Sequence, residues 1–71
     1  MKITFNKDCV VNRFRRADTT LMQEVILNGM TMEVVGIVDT LFSATERSVD
    51  IKLDEVSYLS AVPDSWFTRE E

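Results

Sequence analysis

The dipeptide Asn28-Gly29, set between two apolar-rich runs, is the feature that most constrains how this chain can fold. A two-residue hairpin turn needs a positive φ at both central residues, and Asn-Gly adopts that conformation at little cost. The flanking residues 20–27 and 30–38 hold several β-branched side chains, which are common in strands. The dipeptide therefore predicts a central β-hairpin.

A two-residue turn at this place also fixes the register of the predicted hairpin. It places Glu24 directly opposite Glu33, and like charges that face each other across a ladder are destabilising. Because sequential strands usually lie side by side, we expect Arg13 or Arg15 from the preceding strand to bridge the two carboxylates. The other facing pairs in this register are Leu27 with Met30, Val25 with Met32 and Gln23 with Val34.

Residues 20–28 also fit a helix. Thr20 would cap it with Gln23 three positions later, and Gly29 is a typical residue just past a helix end. The apolar side chains recur at helical spacing, at Leu21, Met22, Val25 and Ile26. The sequence leaves both interpretations open and favours the hairpin.

Strand patterns also occur before the central stretch. Residues 2–5 alternate polar and apolar side chains, residues 9–16 have the pattern of a second strand with Val10 and Phe14 on one face, and residues 6–8 have turn chemistry. These segments predict a first hairpin. Cys9 begins the second of these strands, where we expect it to act as a small hydrophobic side chain.

Further strands are predicted after the central turn. Residues 49–54 alternate strictly and are expected to pair with residues 34–42 in a third hairpin, with a loop at 43–48. Gly36 indicates a bulge or bend that lets the sheet curl. Residues 55–62 fit a helical turn or a continued strand, and Pro63 ends that element because it cannot donate a backbone hydrogen bond.

These segments predict a mainly β fold, as a small five-stranded antiparallel meander, a curled sheet or an SH3- or OB-like barrel. A helix at 20–28 packed on the sheet would instead make the fold α+β. The 71 residues leave room for a single domain, residues 1–71. We expect the tail, residues 63–71, to pack back on the sheet through Trp66 and Phe67, because two large aromatic rings bury much apolar surface.

The composition argues against most enzyme chemistry. The chain has no histidine, one cysteine and two glycines, so it lacks the usual general base, a zinc ligand set and a glycine-rich phosphate loop. The acidic residues Asp50, Asp54 and Glu55 are expected to face solvent rather than to hold a metal. We therefore expect a protein without enzymatic activity, cofactor or metal.

Charge and hydropathy bear on the kind of partner and on the cellular compartment of the protein. Residues 1–18 carry five basic and two acidic side chains, and residues 19–71 carry three basic and ten acidic ones, for a net charge of −4. An acidic chain is disfavoured as a nucleic-acid binder, because that affinity comes chiefly from neutralising phosphates. No apolar run is long enough to cross a membrane, and a lone cysteine fits a reducing compartment, so we expect a cytoplasmic protein.

These observations favour a small acidic protein-interaction module, an adaptor or inhibitor such as the accessory proteins of viruses and mobile elements. Exposed aromatic, methionine and charged side chains are typical of such surfaces. The expected partner-binding residues are Trp66, Phe67, Met30, Met32, Asp50, Asp54 and Glu55.

Two alternatives remain open. The first is a small barrel that binds single-stranded nucleic acid through its basic N-terminal hairpin, because basic groups interleaved with an aromatic ring suit that ligand. The second is a structural subunit or homo-oligomer that pairs its exposed sheet edges. The residues expected to bind nucleic acid in the first alternative are Arg13, Phe14, Arg15 and Arg16.

Overall fold

Eight β-strands and one short 3-10 helix account for most of the described structure. The computed structural model describes residues 1–39 and 47–70. The strands are β1 Lys2–Phe5, β2 Cys9–Arg15, β3 Thr20–Ile26, β4 Thr31–Glu33, β5 Gly36–Asp39, β6 Ser48–Lys52, β7 Ser57–Pro63 and β8 Phe67–Glu70, and the 3-10 helix is Asp64–Trp66.

The strands form two antiparallel sheets, which confirms the mainly β prediction. The smaller sheet has the order β4-β1-β8, and the larger sheet has the order β3-β2-β7-β6-β5. The alternative helix at 20–28 is wrong, because β3 pairs with β2 over all seven of its residues. Cross-strand pairing of these side chains outweighs the helix-capping signal at Thr20.

The two sheets share one hydrophobic core. Its buried side chains come from both sheets and from Val34, which lies between β4 and β5. The arrangement is compatible with the expected small β domain that curls around a single core. The other core residues are Ile3, Phe5, Val11, Ile26, Val49, Ile51, Leu59, Val62 and Phe67.

The Asn28-Gly29 turn forms, but the predicted hairpin does not. The Met30 amide donates to the Leu27 carbonyl at 3.0 Å, which closes a β-turn. Gly29 has a φ of +88°, whereas Asn28 is not among the residues with positive φ. This pattern is that of a type II turn, whose twist splays the flanking strands instead of pairing them.

The chain consequently changes sheets at this turn. β3 joins the larger sheet and β4 pairs with β1 in the smaller one, so the predicted register of the central hairpin is wrong. Glu24 therefore does not face Glu33. Two acceptors near β1 hold the turn in place: the Phe5 carbonyl accepts from Gly29 at 2.8 Å, and the Asp8 carboxylate accepts from Asn28 at 2.7 Å.

The pairing of the N-terminal strands also differs from the prediction. β1 pairs with β4 and β8, so the expected hairpin between residues 2–5 and 9–16 is wrong. The N-terminal hairpin is instead β2 with β3, closed by turn residues 16–19. The apolar side chains of β1 point into the buried cluster, and their alternation does not indicate which strand pairs with β1. The local sequence pattern therefore predicted the strand but not its partner.

Later elements follow the sequence more closely. β5 pairs with β6 from Gly36 opposite Lys52 to Asp39 opposite Val49, which confirms the third hairpin over the described residues. The end of the predicted strand 34–42 and most of the predicted loop 43–48 lie outside the described residues. The chain bends at Val35, one residue before the predicted Gly36, where it passes from one sheet to the other.

The C-terminal part returns to the smaller sheet. Residues 57–63 form a strand, which resolves the ambiguity of residues 55–62, and Pro63 ends it as predicted. After the 3-10 helix, Phe67 lies opposite Phe5 and the two ring centroids are 5.9 Å apart.

The two glycines give a matched test of the turn. Gly29→Ala is expected to lower the free energy of unfolding by about 1–2 kcal/mol, because a side chain at this positive φ is strained although space is open around it. Gly36→Ala is expected to raise it by about 0.4–1 kcal/mol, because no positive φ or close neighbour opposes the new methyl group. Urea denaturation of both variants measures these changes, and equal effects would contradict the turn assignment.

Candidate protein-binding surface

The larger sheet has one face toward the core and one toward solvent, and the register assigns side chains to each. In β2, Val11 is buried, so Val10, Asn12 and Phe14 point the other way. Residues directly opposite one another share a face. We call the solvent side the outer face, and it carries Val10, Asn12, Phe14, Leu21, Gln23, Val25, Lys52, Tyr58 and Ser60.

Exposed apolar side chains concentrate at one end of this sheet. Of the ten large apolar side chains that are exposed among the described residues, five lie on β3, just after it, or opposite it on β2. Their exposed fractions run from 54% to 65%. We call this group the β3 patch, and its members are Val10, Leu21, Met22, Val25 and Leu27. Met22 lies opposite Arg13 and is therefore on the other face of the strand from Leu21 and Val25.

The β3 patch adjoins an open strand edge. β3 is the first strand of the larger sheet and has no strand on its other side among the described residues. Half of the backbone amides and carbonyls of such a strand point away from the sheet and can pair with another chain. The patch and the edge together offer apolar side chains and hydrogen-bonding groups to one partner.

Glu24 is the only charged side chain of β3, and it forms an ion pair with the neighbouring strand β2. Arg13 Nη1 lies 3.4 Å from Glu24 Oε1, and both side chains are partly exposed. The predicted bridge from the second strand is thus correct for Glu24 and wrong for Glu33, which lies opposite Lys2 in the other sheet. A pair of this exposure is worth about 0.2–1 kcal/mol, and its main effect is to neutralise the edge.

A cavity lies on the outer face beyond the β3 patch. It encloses about 540 Å³ and is lined by the side chains of Phe14 and Tyr58, whose ring centroids are 5.3 Å apart. Apolar side chains continue its wall at Val35, Val38 and Val56. Its charged lining residues are Arg16, Lys52, Asp50, Asp54 and Glu55.

Two of the acidic lining residues have structural partners. Asp54 accepts hydrogen bonds from the Val56 and Ser57 amides at 2.8 Å each, and the Val56 bond is the main reason that the pKa of Asp54 is lowered. Asp50 accepts from the Ala61 amide at 3.0 Å, where Ala61 has a φ of +53°. Both carboxylates therefore hold the backbone next to the cavity.

The partner-binding residues expected from the sequence do not form one surface. Phe67 is buried in the core, and Met32 and Trp66 are partly buried against it. Lys7 Nζ lies 4.8 Å from the centre of the Trp66 ring, and Met30 is exposed. These residues lie at the smaller sheet, whereas Asp50, Asp54 and Glu55 line the cavity of the larger one.

The residues expected to bind nucleic acid also separate. Phe14 and Arg16 line the cavity, whereas strand alternation places Arg13 and Arg15 on the opposite side from Phe14. Arg13 binds Glu24, and Arg15 lies 4.0 Å from Asp18. Two of the four residues thus remain on a common surface.

Sequence reasoning missed most of the β3 patch, because the predicted hairpin gave Leu21, Met22 and Val25 a second neighbouring strand. Tyr58 was missed because its segment was ambiguous. The available signal was the apolar composition of both faces of residues 20–27, since a strand with one solvent face normally alternates.

Cys9 is partly buried beside the core, and burial raises the pKa of its thiol. This environment fits the small hydrophobic role expected of it, because a nucleophilic cysteine needs a lowered pKa.

The described residues include no group of three or more His, Cys, Asp or Glu side chains placed to hold a metal ion. They also include no helix of the length and apolar character needed to cross a membrane. Comparison with protein-family models, curated proteins and solved structures finds no match to this chain.

Asp54 gives a pH-dependent test of the cavity wall. Its pKa in the folded protein lies below the usual 3.8, so its contribution to stability is present above pH 3.8 and is lost as the pH falls through the lowered value. Asp54→Ala is expected to lower the urea midpoint at pH 7 and to have a smaller effect at pH 3. Asp54→Asn keeps an acceptor oxygen and serves as the control, and an Asp54→Ala effect independent of pH would contradict the assignment.

Proposed function

We propose that this chain is a non-enzymatic protein-interaction module that binds a partner polypeptide at the β3 edge. The observation that supports this most strongly is the β3 patch beside an open seven-residue strand edge. In β-strand addition, main-chain hydrogen bonds supply affinity and the alternate side chains supply specificity. Both components are present in β3.

The make-up of the surface favours a protein partner. Groups of exposed apolar side chains at one edge of a small protein commonly mark protein-binding sites. The apolar surface also continues from Leu21 to Phe14 and Tyr58, which lie side by side across β3, β2 and β7. Aromatic side chains such as Phe14 and Tyr58 are enriched in protein interfaces.

The charge of the chain supports the same choice. A net charge of −4 opposes binding to a polyanion, whereas β3 has only Glu24, already paired with Arg13. We propose a cytoplasmic adaptor or inhibitor, and the accessory proteins of viruses and mobile elements are examples of such small chains.

Substitution at Val25 tests the proposed function. Val25→Lys adds a charge to the centre of the β3 patch, and at 65% exposure the change is expected to leave the fold intact. A tagged wild-type chain carrying a photo-crosslinker at Leu21 is expected to capture a discrete polypeptide in extract of the native host. Val25→Lys should reduce that capture at least about tenfold, because a charge must be desolvated in the interface.

Thr68→Lys is the matched control, because Thr68 is also exposed on an edge strand but belongs to the smaller sheet. It is expected to leave capture unchanged. Equal capture by the Val25→Lys and wild-type chains would contradict the proposed function.

One observation favours a second candidate function, the binding of single-stranded nucleic acid in the cavity. Phe14 and Tyr58 present neighbouring rings there, with Arg16 and Lys52 in the same wall. Bases stack on such rings and basic groups bind phosphates. The three carboxylates of the wall oppose this ligand, so we rank it second.

An oligonucleotide titration separates the two functions. We expect a fluorescent oligothymidylate to show no binding at about 0.15 M salt with protein at tens of micromolar, because non-specific affinity is weak without net neutralisation of phosphates. Binding that is abolished by Arg16→Glu and retained by Val25→Lys would instead support the second candidate.

A further inference from the structure

We infer that the polypeptide bound at the β3 edge is a second copy of this chain, paired antiparallel about a twofold axis at Gln23. This inference depends on the proposed function and names its partner. The dimer would join two five-stranded sheets into one continuous sheet, with both outer faces on the same side.

Among the edge strands of the described residues, β3 is the one suited to pairing. β4 has three residues, and β5 and β8 have four each, with Arg69 and Glu70 ending β8. β3 has seven residues and contains no proline or lysine, which commonly protect an edge, and its one charged side chain, Glu24, is paired with Arg13. The other edges are short or charged, so stable strand addition is expected at β3.

The sequence of β3 selects one register for symmetric pairing. A twofold axis at Gln23 places Leu21 of each copy opposite Val25 of the other, and both side chains point to the outer face. Glu24 then faces Met22. An axis at Glu24 would instead bring two carboxylates together, and an axis at Met22 would place Leu21 opposite Gln23, so both are less favourable.

The chosen register continues the apolar row of the outer face. Within one copy the row runs from Tyr58 through Phe14 to Leu21, across three strands. In the dimer the next two positions are Val25 and Val10 of the second copy, because these two residues lie opposite each other. The same row recurs on the other side of the axis by symmetry, so each apolar row crosses the interface and Leu21 of one copy contacts Val25 of the other in both rows.

Polar groups near the axis are also matched. Gln23 would face Gln23 of the second copy, and a side-chain amide can both donate and accept a hydrogen bond. Asn12 lies next to Gln23 and Ser60 next to Asn12, so a polar row separates the two apolar rows. The apolar pairs and the Gln23 pair are self-complementary and no like charges meet in this register, which favours a copy of this chain over an unrelated strand.

Opposite charges introduced at Gln23 test both the partner and the register. The purified wild-type chain is expected to sediment as a dimer of twice 8.2 kDa at about 0.1 mM. Gln23→Lys alone and Gln23→Glu alone should each raise the dimer dissociation constant at least about tenfold, because identical charges meet at the axis. An equimolar mixture of the two variants should regain the dimer, because lysine then faces glutamate.

Thr68→Lys and Thr68→Glu are the controls, and neither is expected to change the dissociation constant. Circular dichroism of each Gln23 variant checks that it is folded. Dimer formation in the equimolar mixture also shows that both variants are folded. A wild-type chain that stays monomeric at about 1 mM, or a dimer indifferent to charge at Gln23, would overturn this inference. A monomeric wild-type chain would contradict the dimer but not the proposed function. The proposed function is contradicted only if Val25→Lys leaves the capture of a partner unchanged.

Discussion

The backbone conformation at Gly29 is the constraint on which the rest of the structure depends. With a positive φ at Gly29 alone, the turn splays the strands on either side, and hydrogen bonds to the Phe5 carbonyl and the Asp8 carboxylate hold it beside β1. β4 is thereby delivered to the smaller sheet. Had Asn28 also adopted a positive φ, β4 would pair with β3, and β3 would have a neighbour on both sides. The open edge, and with it the candidate binding surface, exists because this turn is not a hairpin turn.

Local sequence patterns located the strands well and their partners poorly. Strand patterns at residues 2–5, 9–16 and 49–54 identified β1, β2 and most of β6, because the side-chain period of a strand depends on neighbours in sequence. The partner of β1 depends instead on how two sheets close over a common core. That closure involves Phe5 and Phe67, which are far apart in the chain, and no short-range signal reports it.

The candidate site shows the same division. The bridge between Arg13 and Glu24 was predictable, because it needs only that β2 and β3 are neighbours. The exposure of Leu21 and Val25 was not predictable, because it follows from β3 having a strand on only one side among residues 1–39 and 47–70. Trp66 and Phe67 were expected to pack back on the sheet, with contact to a partner as a second expectation. The structure places Phe67 in the core and Trp66 partly buried against it, where the 3-10 helix turns the chain back toward β1.

The composition of residues 20–27 conflicts with the needs of an isolated chain. Only Ile26 of this segment is buried, while Leu21, Met22, Val25 and Leu27 remain exposed. Single exposed apolar residues are normal on protein surfaces, but several on one unprotected edge carry an aggregation risk without stabilising the fold. A chain of 71 residues has little apolar surface to leave unused. The conflict is reduced if the edge is covered, because strand pairing removes the edge backbone and the flanks of these side chains from water, and the stability of the assembly then rises with protein concentration.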